Sequence, residues 1–283
     1  MLSGPLPEHK VMSMKNPLSS VLSLPSILRT VLAFCLFISG SQVSSANTGT
    51  LSALAITLQS DKQEYILGEP VSVTFKVVNT SNARIQLPGL IDVFAGQLVF
   101  RIAFENGPYR LYRGPGWYIW GAKTSKPFTL DPGASIETTA TVLHNRAPQR
   151  GRLNEETWKR VAESEIDTEL ALPKPGRYRL KAILLGTIES PPLEIYINEP
   201  QTIDDIEMWK LMSKHPEYAY FMQTRGDLLQ GTFTDQRTKE MVDTIESFVN
   251  YHAASTYTPY FREAIAKHRA AVERHRKAGT LKE

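Results

Sequence analysis

Cysteine is almost missing from this chain: Cys35 is the only one in 283 residues. It lies in an apolar run near the start, so a chain trimmed behind that run has no thiol, no disulfide and no cysteine metal ligand. Histidine is sparse, six in all, and none stands in His-Glu-x-x-His or another close ligand spacing. Neither a Gly-x-Ser-x-Gly elbow, a phosphate loop nor a dinucleotide fingerprint occurs, which removes the local signatures of the common hydrolases and nucleotide enzymes. An excess of one charge is absent too. With 32 Lys and Arg against 29 Asp and Glu, the chain as a whole makes no electrostatic case for nucleic acid. No internal repeat or long low-complexity tract is present, and the longest apolar run is far short of the ~20 residues that span a bilayer.

That run, Val31 to Ile38, follows Lys10, Lys15 and Arg29 and ends in Ser39-Gly40. Ser44-Ser45-Ala46 then places small side chains where a signal peptidase needs them. The order predicts a secretory signal peptide over 1–46, cleaved before Asn47, rather than a stable transmembrane anchor. The polar end is long, so Met12 and Met14 are alternative starts. Phe34 before Cys35 does not fit a lipoprotein site. Cleavage removes three of the 32 basic and one of the 29 acidic residues, leaving a nearly neutral chain. A disulfide-free exported protein suits a bacterial periplasm or exterior. Asn79-Thr80-Ser81 matches the glycosylation acceptor, a triplet common by chance.

What the remainder does have is period-two alternation. Val71-Ser72-Val73-Thr74-Phe75-Lys76-Val77 and Tyr178-Arg179-Leu180-Lys181-Ala182-Ile183-Leu184 each follow a tight-turn signal and read as half-buried strands. Further strands are expected at Leu54–Leu58, at 83–87, and at 98–104, where Leu98, Phe100, Ile102 and Phe104 share a face and Arg101 takes the other. Asn106-Gly107 marks a hairpin returning through Tyr109 to Tyr112. Ile136, Thr138, Ala140 and Val142 alternate, and Leu193, Ile195 and Ile197 close a series of seven to nine strands, a sandwich or barrel pattern.

A Gly-Glu-Pro turn feeding Val-x-Val-x-Phe, a later Pro-Gly turn, and Pro-Gly-x-Tyr-x-Leu resemble the Ig-like β-sandwich modules of secreted bacterial proteins. The likeness covers Leu54 to Asn198. It implies an antiparallel sandwich with Tyr178 at the tyrosine-corner position, its hydroxyl bonding upstream backbone. The same sandwich serves adhesion, inhibition, chaperoning and spacing, so function does not follow from it.

Within the sandwich segment, Asn154 is placed to cap a helix near 154–166 carrying Trp158, Val161, Ala162 and Ile166, with Glu155 and Glu156 at its positive end. After Pro200 the period lengthens. Helices are expected from Thr202 or Asp204 to His215-Pro216, through Tyr218, Phe221 and Met222 to Gly226, and after Thr234 through Met241, Ile245, Phe248 and Val249. A last one starts with Thr258 as cap and Pro259 in its first turn. The expected fold is a multidomain β plus α chain: a signal peptide (1–46), an Ig-like sandwich with helical insertion (47–199) and a three- to four-helix unit with a basic end (200–283).

Residues 113–121, Arg-Gly-Pro-Gly-Trp-Tyr-Ile-Trp-Gly, form the candidate binding loop. Trp117, Tyr118 and Trp120 either present a flat apolar surface to a protein or sugar ring, or fold back over the end of the core. Glu163, Glu165, Asp167 and Glu169 fall at every second position. In an extended segment they would line one face and suit a hard cation; on a continued helix they scatter, and a solvated face is the simpler account. His252 and His268 can approach across the last helix pair, though helical histidines at core edges usually serve as packing. From Arg262 onward basic residues outnumber acidic ones, as expected of a helix end offsetting its dipole or of a patch for an anionic partner.

These readings point to an exported, non-enzymatic module that binds an envelope or extracellular protein, with no cofactor, no metal and no nucleic acid. A carbohydrate-binding or carbohydrate-active protein and a secreted peptidase inhibitor are the alternatives.

Overall fold

The computed structural model describes residues 53–89, 91, 97–115, 126–146, 154–226 and 236–279, which belong to one compact unit, Asn47–Glu283. Residues 1–46, expected to be a signal peptide, and Trp117, Tyr118 and Trp120 lie outside the described residues. In chain order the strands are β1 (Leu54–Ser60), β2 (Glu64–Ile66), β3 (Val71–Asn79), β4 (Ile85–Leu87), β5 (Leu98–Phe104) and β6 (Arg110–Tyr112). They continue with β7 (Phe128–Leu130), β8 (Ser135–Val142), then helix α1 (Glu155–Ser164), β9 (Gly176–Leu184), β10 (Ile188–Glu189) and β11 (Leu193–Asn198). Four helices follow: α2 (Ile203–Lys214), α3 (Pro216–Gln223), α4 (Gln236–Tyr251) and α5 (Thr258–Lys277).

The strands form three open sheets. One has the order β1-β3-β8, a second β2-β11-β9-β5-β6 with β10 beside β9, and a third pairs β4 with β7. Alternation sets which side chains turn inward. Val71, Val73, Phe75 and Val77 of β3 share one core with Leu98, Phe100 and Ile102 of β5, Leu180 and Ala182 of β9, and Ile195 and Ile197 of β11. Each buried Val, Leu, Ile or Phe side chain among them contributes about 1.5–3 kcal/mol through burial. The larger sheet is mixed rather than wholly antiparallel, because β2 runs parallel to β11 with Tyr65 opposite Ile197. Period-two patterning selects the inward face, and it carries no information about the direction of a neighbouring strand.

Leu98, Phe100, Ile102 and Phe104 do fall on one face of β5, Phe104 opposite the buried Tyr178, but Phe104 ends the strand and is 38% exposed. One local expectation is corrected. Thr258 does not cap α5: Tyr257 is the cap, without a side-chain bond, and the buried Thr258 hydroxyl donates instead to the His252 carbonyl at 2.8 Å. The caps of α1 and α2 are as the residues suggest, and Thr234 lies outside the described residues. Asn154 accepts from the Thr157 N–H and Thr202 from the Asp205 N–H.

The helices build a second core from Met208, Met212, Phe221, Ile245, Val249, Phe261 and Ile265, into which Leu143 of the strand region also packs. Trp209 touches both cores. The joint forms at the Gly68-Glu69-Pro70 turn. Gly68 has φ +78°, and a Cβ there would fall 2.7 Å from Met212 and 2.8 Å from Trp209, so only glycine brings the turn this close to α2. The Tyr257 hydroxyl donates to the Leu67 carbonyl, and Tyr260 donates to the buried Glu69 carboxylate at 2.9 Å. Glu69 also accepts from the Ile66 N–H at 3.1 Å and pairs with Lys62. An acid buried this deeply requires such partners.

Candidate functional site

A cleft of about 360 Å³ opens where the β5–β6 hairpin meets the segment after α1. Its floor is apolar: Ile102, Ile166, Ala171 and Tyr178 are buried, and the half-exposed Phe104 ring stands 5.0 Å from that of Tyr178. Arg110, Asp167 and Lys174 supply charge at the rim. Arg110 and Asp167 approach to 3.9 Å with both side chains well exposed, a weak pair that a ligand can displace.

Buried polar groups hold the walls. Asn145 is fully buried; its Nδ2 donates to the carbonyls of Ile166 and Thr168, each at 2.9 Å, and its Oδ1 accepts from the Arg113 N–H at 3.0 Å. Its backbone N–H donates to the Glu169 carbonyl at 2.7 Å, so this one residue ties the segment after α1 to the strand ends. Arg113 adds a two-pronged pair with Glu165. On the other wall the Tyr178 hydroxyl donates to the Lys174 carbonyl at 2.9 Å and accepts from the Lys174 N–H at 3.1 Å. This is the upstream backbone bond expected of that tyrosine. Burial pushes the Tyr178 hydroxyl up to about 12, opposed by the Lys174 backbone contact.

The four alternating acids do not line one face. Glu163 lies on α1, Glu165 ends that helix against Arg113, Asp167 faces Arg110, and Glu169 contributes its carbonyl to Asn145. Among the described residues no group of three or more His, Cys, Asp or Glu side chains is placed to hold a metal ion. His252 and His268 have separate neighbours: His252 Nδ1 lies 2.8 Å from Asp204 and stacks on Phe248 at 4.2 Å, whereas His268 meets the edge of Phe221. On α5, Lys267 pairs with Glu263, Arg269 with Glu246, and Arg276 and Lys277 with Glu273, so much of the basic end is offset within the helical unit.

The cleft was not among the sites read from sequence. Its signals were the Asn106-Gly107 hairpin and the Pro-Lys-Pro-Gly turn before Tyr178, each recognised as a turn but not as opposite walls of one opening.

No family model matches the chain, and no curated protein is similar to it. Among solved structures it is similar to the alkylpurine DNA glycosylase AlkC of Pseudomonas fluorescens, with 14% identity over 52% of this chain and 30% of that one, TM-score 0.29. It is also similar to a β-glucosidase of Listeria innocua, 12% identical over 53% of this chain and 17% of that one, TM-score 0.27. A CARDB domain of Pyrococcus furiosus is 10% identical over 51% of this chain and 94% of that domain, TM-score 0.24. The chain spans less than a third of the first two proteins, and likenesses this slight carry no functional argument. Among the described residues no helix is long and apolar enough to cross a membrane.

Proposed function

We propose that the chain is an exported, non-catalytic module that holds another macromolecule in a bacterial cell envelope. In this reading the strand region is an Ig-like sandwich domain, the residues after Pro200 form a helical domain, and 1–46 directs export. The cleft carries the reading. It is open, floored by apolar groups around a half-exposed aromatic ring, and its walls are fixed in advance by Asn145 and Tyr178. Such a preformed opening lowers the ordering cost of binding. At its rim Arg110 and Asp167 engage each other and Lys174 adds a further charge, polar groups that can orient a partner over the apolar floor.

Crosslinking the full chain in envelope extract is expected to recover one reproducible partner, and Phe104→Glu, at an exposed position, is expected to abolish its capture while the protein stays folded. Recovery of no partner, or equal capture by F104E, overturns the assignment to this cleft. The Trp117, Tyr118 and Trp120 loop is the alternative surface, and loss of capture on W117A/W120A with F104E unaffected would move the site there.

A further inference from the structure

The outer face of the larger sheet gathers positive charge at its centre. Arg101 of β5 lies directly opposite Lys181 of β9, and Arg179 lies one step along the same face, opposite Ala103. Their neighbours Ile102, Leu180 and Ala182 are buried, so all three long side chains turn outward. Like charges directly opposite on one face destabilise a sheet unless something neutralises them. Glu189 approaches Lys181 at 3.2 Å, while Glu194, opposite Arg179 in register, reaches Arg177 at 3.8 Å instead. Glu105 also goes to Arg177, and Glu64 bonds Asn198 at the far edge. Arg101 is exposed and has no ion pair among the described residues. Arg179 reaches the Gly107 carbonyl at 3.3 Å, and its buried Nε meets no acceptor among the described residues.

Tyr109 organises the cluster. Arg179 lies 5.3 Å and Lys181 5.1 Å from its ring centroid, so the ring holds two cations side by side next to Arg101. Tyr196 adds an aromatic ring at 47% exposure on the same face, opposite Arg177.

We infer that this face is a second binding surface, separate from the cleft, for a carboxylate-bearing glycan. Arg101, Lys181 and Arg179 receive the carboxylate, and Tyr196 offers a flat surface for a sugar ring. The flanking carboxylates Glu189, Glu194 and Glu105 can accept sugar hydroxyls. They also repel closely spaced phosphates, which favours a sparsely charged polysaccharide over nucleic acid.

The test titrates the full chain with polygalacturonate, with its methyl-esterified form, and with a single-stranded DNA oligonucleotide. Polygalacturonate is expected to bind, in a salt-sensitive manner, and R101Q to weaken it about tenfold. The neutral ester is expected not to bind, and F104E is expected to leave glycan binding unchanged. The inference is overturned if polygalacturonate does not bind, if the ester binds equally, if R101Q matches the parent, or if DNA binds at least as tightly. Because F104E reports on the cleft and R101Q on the sheet face, failure of either assignment is visible separately.

Discussion

Gln223, at the end of α3, donates through Nε2 to the hydroxyl of Tyr112 on β6 at 2.8 Å, joining residues 111 positions apart in the interior. The same amide nitrogen donates to the Thr141 carbonyl at 2.8 Å, and the amide oxygen accepts from the His144 N–H. The Tyr112 hydroxyl in turn donates to the His144 carbonyl at 3.0 Å. Burial keeps its phenol far above the ordinary range. Gln223→Met keeps the side-chain length but leaves the Thr141 carbonyl and the His144 N–H without this partner. The expected loss is about 2–6 kcal/mol, from two polar groups at about 1–3 kcal/mol each. Urea unfolding measures it, and a double-mutant cycle with Tyr112→Phe is expected to give a coupling of about 1 kcal/mol.

His144 sets a pH dependence. Its Nδ1 is buried without a hydrogen-bond partner, the ring meets the edge of Tyr220 at 5.2 Å, and burial lowers its pKa from 6.5 to about 4. The unfolded chain therefore takes up this proton first as pH falls. The contribution is whole above about pH 6.5, declines between there and about pH 4, and changes no further below. The difference is worth at most about 3 kcal/mol. Denaturation midpoints across that window are expected to fall with pH in the parent and to flatten in His144→Phe.

Tyr178→Phe removes the hydroxyl that closes one wall of the cleft and is expected to cost about 1–2 kcal/mol. A more local readout is hydrogen exchange at the Lys174 amide, whose N–H donates to that hydroxyl. Exchange there is expected to accelerate well beyond the global change. An unchanged rate would mean that the turn holds its shape without the tyrosine.

Local pattern and tertiary placement were unequally legible in the sequence. Alternation at Val71–Val77 and Tyr178–Leu184 located β3 and β9 because a half-buried strand repeats every two residues, and the Asn154 and Thr202 caps announced their helices by side-chain chemistry. The parallel pairing of β2 left no trace, since three residues are too few to show a period. Phe104 looked like its predecessors by spacing, yet it ends the strand at Gly176, where the core stops. The cleft was illegible for a further reason. Its walls come from residues 102–110 and 166–178 and are tied by Asn145, and no local window contains all three. The Arg101–Lys181 pair likewise depends on register, which appears only when two distant strands are laid side by side.

The glycine-centred joint at Gly68 bears on how the chain can be cut. A fragment ending at Glu199 would keep every strand, yet it would lose Trp209, Met212, Tyr257 and Tyr260 from the Gly68-Glu69 turn and the helical core from Leu143. The newly bared apolar end would sit beside a carboxylate stripped of one partner. Such a fragment is expected to self-associate in solution rather than to behave as a smaller, equally well-behaved protein.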